Sequence, residues 1–244
     1  MSKADGAGHH SPVAMPHDYH THADVSGGWL RAATFGAMDG LVSNTALIAG
    51  VAASADAHTV VISGVAGLLA GAFSMALGEY TSVTTANEQI DSEVDAEREA
   101  FRQFPYGEQL ELVGMFKDMG MTEQTAQTAA AEVHRDEERA LHFHVAQELG
   151  IDPREKPSAT VAAVSSFLMF AVGALIPLLP YLFGVEALWP GLICGGIGLL
   201  IAGATAARFT AARMWLGAGR QLAFGMIAIA ATYLVGRLIG GVVG

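Results

Sequence analysis

The side chains of this sequence best suited to chemistry lie between positions 93 and 148. Glu93 and Glu97 stand four residues apart, Glu108 and Glu111 three, and Glu138/His142 and His144/Glu148 four again. Residues three or four apart share one face of an α-helix, so each pair would present two ligand atoms in one direction. Carboxylates joined by imidazole suit Fe²⁺, Mn²⁺ or Zn²⁺. The plainer reading is a solvated acidic surface paired with Arg98, Arg102, Arg135 and Arg139, and spacing alone favours it. Glu137 adds charge to the same stretch.

Three further groups lie in apolar surroundings. Met75 and Glu79 are one helical turn apart and share a face. A thioether beside a carboxylate suits a borderline-soft ion and suits Mg²⁺ or Ca²⁺ poorly, since those take oxygen shells. Asp39 is ten residues past Trp29, about 15 Å along a helix at ~1.5 Å per residue. A carboxylate facing lipid at that depth costs on the order of 3 kcal/mol or more. Asp39 should therefore face a wet path, where it can bind a cation or carry a proton, or else a structural hydrogen-bond partner such as Ser43 or Asn44.

The elements that must position these groups are apolar helices. The chain has 244 residues, 52% hydrophobic and 15% charged, with mean hydropathy +0.38. Soluble domains carry roughly a quarter charged residues, so this balance indicates a membrane protein. The 29 glycines agree, because small residues let membrane helices approach closely. Apolar spans are expected at Trp29–Ala53, from Thr59 through Leu77, at Ser158–Phe183 (with Pro177 and Pro180), at Trp189–Ala207 and at Leu222–Val243. GxxxG spacings at Gly36/Gly40, Gly67/Gly71, Gly191/Gly195 and Gly236/Gly240 indicate tight helix packing, within a subunit or between two.

Between the second and third spans lies a different kind of sequence. Residues 86–157 hold 17 of the 24 acids and 7 of the 13 bases, leaving ten net negative charges of the total of −11. Such a segment attracts cations and disfavours nucleic acid. No Gly or Pro occurs from Glu79 to Phe104, so the second helix should run on out of the bilayer for these 26 residues, about 39 Å. Pro105-Tyr-Gly107 is expected to break it. A second insert helix is expected over Glu108–Met119, and a third from the N-cap Thr122 to Leu149, before Gly150.

The sequence thus reads as an all-α membrane protein of five transmembrane helices with a three-helix insert. Residues 1–27 are expected to be a disordered tail with His9, His10, His17, His20 and His22, read as a solvated polar segment or a loose metal-capture arm. Residues 28–85 hold transmembrane helices 1–2, residues 86–157 the acidic metal-binding domain, and residues 158–244 transmembrane helices 3–5. Arg208, Arg213 and Arg220 lie between spans four and five, on the same side as the insert and the N-terminus, so all three are expected to be cytoplasmic. Arg237 on the far side is the exception, and its long side chain can snorkel to the interface. No signal peptide precedes the first span, and a prokaryotic plasma membrane is the expected location. Cys194 stands alone, without a disulfide partner or a thiolate cluster.

Phosphate-cradling, dinucleotide-binding and Ser-His-Asp patterns are missing, which argues against an ATP-driven pump or a hydrolase. A ferritin-like di-iron centre needs Glu-x-x-His, whereas Glu138 to His142 has one residue too many. MDGLVSNTALIAGVA (38–52), SMALGEYTSV (74–83), SSFLMFAVGALIPLLPY (165–181) and ATYLVGRLIG (231–240) resemble the vacuolar iron transporter family. The resemblance covers roughly residues 28–244 and is weaker in the insert. It implies a homodimer with five spans per subunit, and a cytoplasmic metal-binding domain between spans two and three. It also implies exchange of Fe²⁺, and often Mn²⁺ or related ions such as Zn²⁺ or Co²⁺, for protons, with no resident cofactor and no enzyme activity. The implied path lies at the dimer interface, lined by Asp39 and Met75 with Glu79 adjacent and Asn44 near. The implied insert ligands are Glu97, Glu108, Glu111 and Glu148. Ala100 replaces a glutamate of the pattern, for which Glu93 or Glu99 can substitute. His144 and Val145 replace paired methionines, which makes the site harder and richer in imidazole. A metal buffer or sensor anchored in the membrane, binding without transport, is the alternative.

Overall fold

The computed structural model describes residues 28–150, 155–210 and 212–243; the His-rich tail lies outside them. They form eight helices, with no strand among the described residues. These are α1 (Trp29–Ala52), α2 (Ala57–Gln103), α3 (Pro105–Asp118), α4 (Glu123–Val133), α5 (Glu137–Leu149), α6 (Ala159–Leu182), α7 (Leu188–Phe209) and α8 (Met214–Val243). Five of them, α1, α2, α6, α7 and α8, are long and apolar enough to cross a membrane. The chain is a multi-pass membrane protein.

Helix α1 is the hub of the membrane bundle: it touches all four other spans and packs most extensively on α6. Glycine permits that closeness. A Cβ on Gly36 would lie 2.7 Å from the Ser166 carbonyl oxygen, and one on Gly40 would collide with the Phe170 carbonyl. All four GxxxG pairs pack within the subunit, Gly67/Gly71 against Leu47 and Phe170 and Gly191/Gly195 against Tyr181 and Thr45. Gly236 and Gly240 bring α8 against Gly50 and Ser54. Pro177 leaves the Gly173 carbonyl without its helical donor. One residue on, the Ala174 carbonyl accepts from Asn44 Nδ2 at 2.6 Å.

Helix α2 runs 47 residues without interruption, about 70 Å at ~1.5 Å per residue. Asp56 caps its start by accepting from the Thr59 amide at 2.8 Å. Its outer half carries the insert. Phe101 packs there with Ala140, Leu141 and Val145 of α5, while Leu112, Val113 and Phe116 of α3 enclose Ala126 and Ala130 of α4. The returning chain is tied back to α2, where Asn87 donates to the Pro157 carbonyl at 3.0 Å and Lys156 pairs with Asp91.

Three expected boundaries change. The long helix does end before Pro105, but Pro105-Tyr-Gly107 belongs to the next helix, which opens at Pro105 rather than Glu108 because a missing N–H costs nothing at the first position, so Phe104 alone separates α2 from α3. The third insert helix is two helices, α4 and α5. Asp136 accepts from the Arg139 amide at 2.8 Å and caps a fresh start, while the Arg139 guanidinium binds the freed Glu132 and Val133 carbonyls. Helix α8 begins at Met214 rather than Leu222, so Arg220 lies inside a helix rather than in the connection.

Candidate metal cluster and membrane cavity

Three of the candidate insert carboxylates converge on one imidazole. His144 is fully buried, and its Nδ1 lies 3.2 Å from Glu97 Oε1, 3.7 Å from Glu108 Oε2 and 3.9 Å from Glu148 Oε1. One ligand atom each from Glu97, Glu108 and His144 falls within a 4.8 Å sphere of mutual distance. Three elements supply them. Helix α2 brings Glu97, the first turn of α3 brings Glu108 because Pro105 starts that helix early, and α5 brings His144 and Glu148. Neither His144 Nδ1 nor Glu97 Oε1 makes a hydrogen bond, although both are buried. Two unsatisfied acceptor-capable atoms aimed at one point cost free energy that a cation would recover.

The electrostatics agree. Burial, then the charges of Glu148 and Glu108, push the Glu97 carboxyl up to about 7. Glu108 and Glu148 are also raised, chiefly by burial and secondarily by Glu111. Burial, reinforced by His134, pulls His144 down to about 4, so its ring is neutral at neutral pH. A site whose carboxyls release their protons only at raised pH and whose histidine is neutral is one in which a divalent ion can displace protons.

Glu93 lines a cavity of about 240 Å³ beside this cluster, with Glu97, Ala100, Val145 and Glu148. Ala100 thus leaves open space where a longer acid would reach the ligands. Glu111 is exposed on α3 and acts on the cluster through its charge. Glu138 and His142 are not brought in. They approach each other, Nε2 to Oε2 at 3.8 Å, on another face of α5.

The transmembrane candidates meet elsewhere. Asp39, Ser43 and Asn44 of α1 line a cavity of about 400 Å³ with Gly67, Ser74 and Met75 of α2 and Phe170 of α6. Gly67 and Gly71 keep α2 from filling it. Asn44 is 2% exposed, and its Oδ1 has no hydrogen-bond partner. One carboxylate, one amide oxygen, one thioether and two hydroxyls therefore border a space between α1 and α2 that opens at the subunit surface. Glu79 does not line it. It lies one turn along α2 from Met75 and pairs with Arg31 of α1.

Two partners escaped the sequence reading. The Arg31–Glu79 pair was recoverable from the hairpin: Arg31 lies 21 residues before Ala52, and Glu79 lies 22 residues after Ala57. Antiparallel helices joined by a short turn put those positions at one height. His134 is the other. Its Nε2 lies 3.2 Å from His144 Nε2, and it enters the site only because the chain breaks between α4 and α5.

Residues 30–237 match the family model described as the VIT family. A protein of Acanthamoeba castellanii named "Vacuolar iron transporter" is 36% identical over 230 residues, covering 92% of this chain and 84% of its own. "Vacuolar iron transporter 1" of Oryza sativa subsp. japonica is 30% identical over 233 residues, covering 93% and 92%. "Vacuolar iron transporter 1" of Arabidopsis thaliana is 26% identical over 227 residues, covering 91% of both chains.

Proposed function

The chain belongs to the VIT family, and on that premise we propose that it exports Fe²⁺, with Mn²⁺ as a second cargo, from the cytoplasm in exchange for protons. The acidic insert faces the cytoplasm and captures the ion at Glu97, Glu108, His144 and Glu148. The ion next competes with the Arg31 guanidinium for Glu79, then passes Met75 to Asp39. A proton arriving at Asp39 from the far side takes the same lone pairs and releases the ion. One carboxylate that holds either a metal ion or a proton couples the two fluxes.

The observation that carries this reading is the open cavity of about 400 Å³ between the apolar helices α1 and α2, into which the carboxylate of Asp39, the amide of Asn44 and the thioether of Met75 are brought together. Burying those groups is unfavourable unless a cation or water uses them. A homodimer with α1 and α2 at its interface would close the cavity. The exposed stripe Ile62, Val65, Leu69, Phe73 and Leu77 along the membrane half of α2 supports that arrangement.

The test is flux in proteoliposomes loaded across a pH gradient. Wild-type protein should accumulate Fe²⁺ on the acidic side, and Asp39→Asn should not. Full pH-driven flux in Asp39→Asn would sink the assignment of Asp39. Metal binding with no flux in the wild type would favour the membrane-anchored buffer or sensor.

A further inference from the structure

We propose that His134 is a positioning residue that fixes the metal-binding tautomer of His144. The inference rests on the reading of Glu97, Glu108, His144 and Glu148 as the capture site. A neutral imidazole carries one N–H, on either Nδ1 or Nε2. His144 turns Nδ1 toward the three carboxylates and Nε2 toward His134. For Nδ1 to offer a lone pair to a cation, the proton must sit on Nε2 and be donated to an acceptor. His134 Nε2, at 3.2 Å, is in place to accept it.

The ring of His134 is held for that task. The residue ends α4, its amide donating to the Ala130 carbonyl at 3.0 Å. Its ring stacks on Phe101, with centroids 5.2 Å apart and planes at 9°. Phe101 also meets His144 edge-on, centroids 5.0 Å apart at 80°. One aromatic ring from α2 therefore sets the angle of both imidazoles. Without His134, the proton of His144 gains by moving to Nδ1 and donating to Glu97, which masks the ligand atom. Partners that orient a metal-bound histidine are worth roughly 10–100-fold in metal affinity.

This also bears on cargo choice. A thioether takes part in binding through any rotamer that reaches the ion, whereas an imidazole takes part only in one tautomer. The break between α4 and α5, which delivers His134, is thus the device that makes a histidine serviceable at this position.

The experiment uses the full chain in detergent, with Mn²⁺ as the probe and free Mn²⁺ followed by electron paramagnetic resonance. The His144-dependent binding is the component lost in His144→Phe. His134→Phe, which keeps the stack on Phe101 but has no acceptor, should weaken that component roughly 10–100-fold. His134→Gln, whose amide oxygen can accept from Nε2–H, should stay within about threefold of wild type. In metal-free wild type, ¹⁵N shifts of labelled histidine should place the His144 proton on Nε2. Wild-type affinity in His134→Phe, no rescue by His134→Gln, or a proton on Nδ1 would each overturn the inference. Unchanged Mn²⁺ binding in His144→Phe would instead remove the capture site itself.

Discussion

The insert cluster and the membrane cavity use the same donor chemistry in opposite proportions. The cluster crowds Glu97, Glu108 and Glu148 around one imidazole, with Glu111 adding charge from the surface of α3. The cavity holds a single carboxylate, Asp39, among a thioether, an amide and hydroxyls. Mutual repulsion in the cluster is relieved by a divalent ion, so the cluster favours capture. Each subunit brings one carboxylate there, against three packed round His144, so on the proposed reading the cavity holds a divalent ion less tightly and favours release. A capture site and a transit site should differ in just this way.

Substitutions in the two regions should therefore have separable signatures. The largest effect is expected from Asp39→Asn, with Fe²⁺ flux reduced on the order of 100-fold, equivalent to ~2.7 kcal/mol, and Mn²⁺ binding by the insert unchanged. Equal losses of flux and insert binding would erase the distinction. Glu97→Gln should weaken insert binding about 10–100-fold. Its flux should recover at saturating Fe²⁺, because the path itself is intact; a lowered maximal rate would place Glu97 in the path.

Proton competition should be the next largest effect. Because Glu97 must lose a proton near pH 7 to ligate, insert affinity should fall up to about tenfold per unit as pH drops below 7, and the slope should flatten in Glu97→Gln. The metal-free fold carries the opposite sign for that residue. A carboxyl raised from 4.5 to about 7 contributes stability at low pH that is lost as pH rises through this window. His144, lowered from 6.5 to about 4, gives stability present above 6.5 and lost as pH falls through 4. Between pH 6.5 and 7 the Glu97 contribution falls faster than the His144 contribution still rises, so metal-free melting temperature should decline there and Mn²⁺ should restore it. The smallest effect is expected from Ala100→Glu. It places a fourth carboxylate in the 240 Å³ cavity and should tighten Mn²⁺ binding about three- to tenfold, read by the same titration.

Much of this was legible in the sequence because it depends on periodicity and on single punctuating residues. Apolar runs located all five spans, and the absence of Gly and Pro after Glu79 located the unbroken α2. Side-chain capping was harder to read. Asp136 looks like any acid in an acidic segment, and only its bond to the Arg139 amide reveals a helix start. Arg220 misled for another reason. Charge marks where a span meets water, but a helix can leave the bilayer and stay helical. The ligand set was visible as pairs on single helices, whereas the choice among pairs depends on which faces three helices turn inward. His144 and Glu148 face the cluster, and Glu138 and His142 do not.

The continuity of α2 has a mechanical consequence. Met75 in the bilayer and Glu97 in the insert lie 22 residues apart on one rod, about 33 Å at ~1.5 Å per residue. Between Glu79 and Glu93 the same helix carries Glu88 and Asp91, and the longest step, Glu79 to Glu88, is about 13.5 Å along the rod, still beyond the ~8 Å screening length of physiological salt. On the proposed reading an ion would diffuse across that step, and the insert would work as a reservoir rather than a relay. The same rod acts as a lever. A tilt of ~5° where α2 leaves the bilayer would swing a tip about 37 Å away by ~3 Å, so rearrangements of the spans should be readable from a label on the insert.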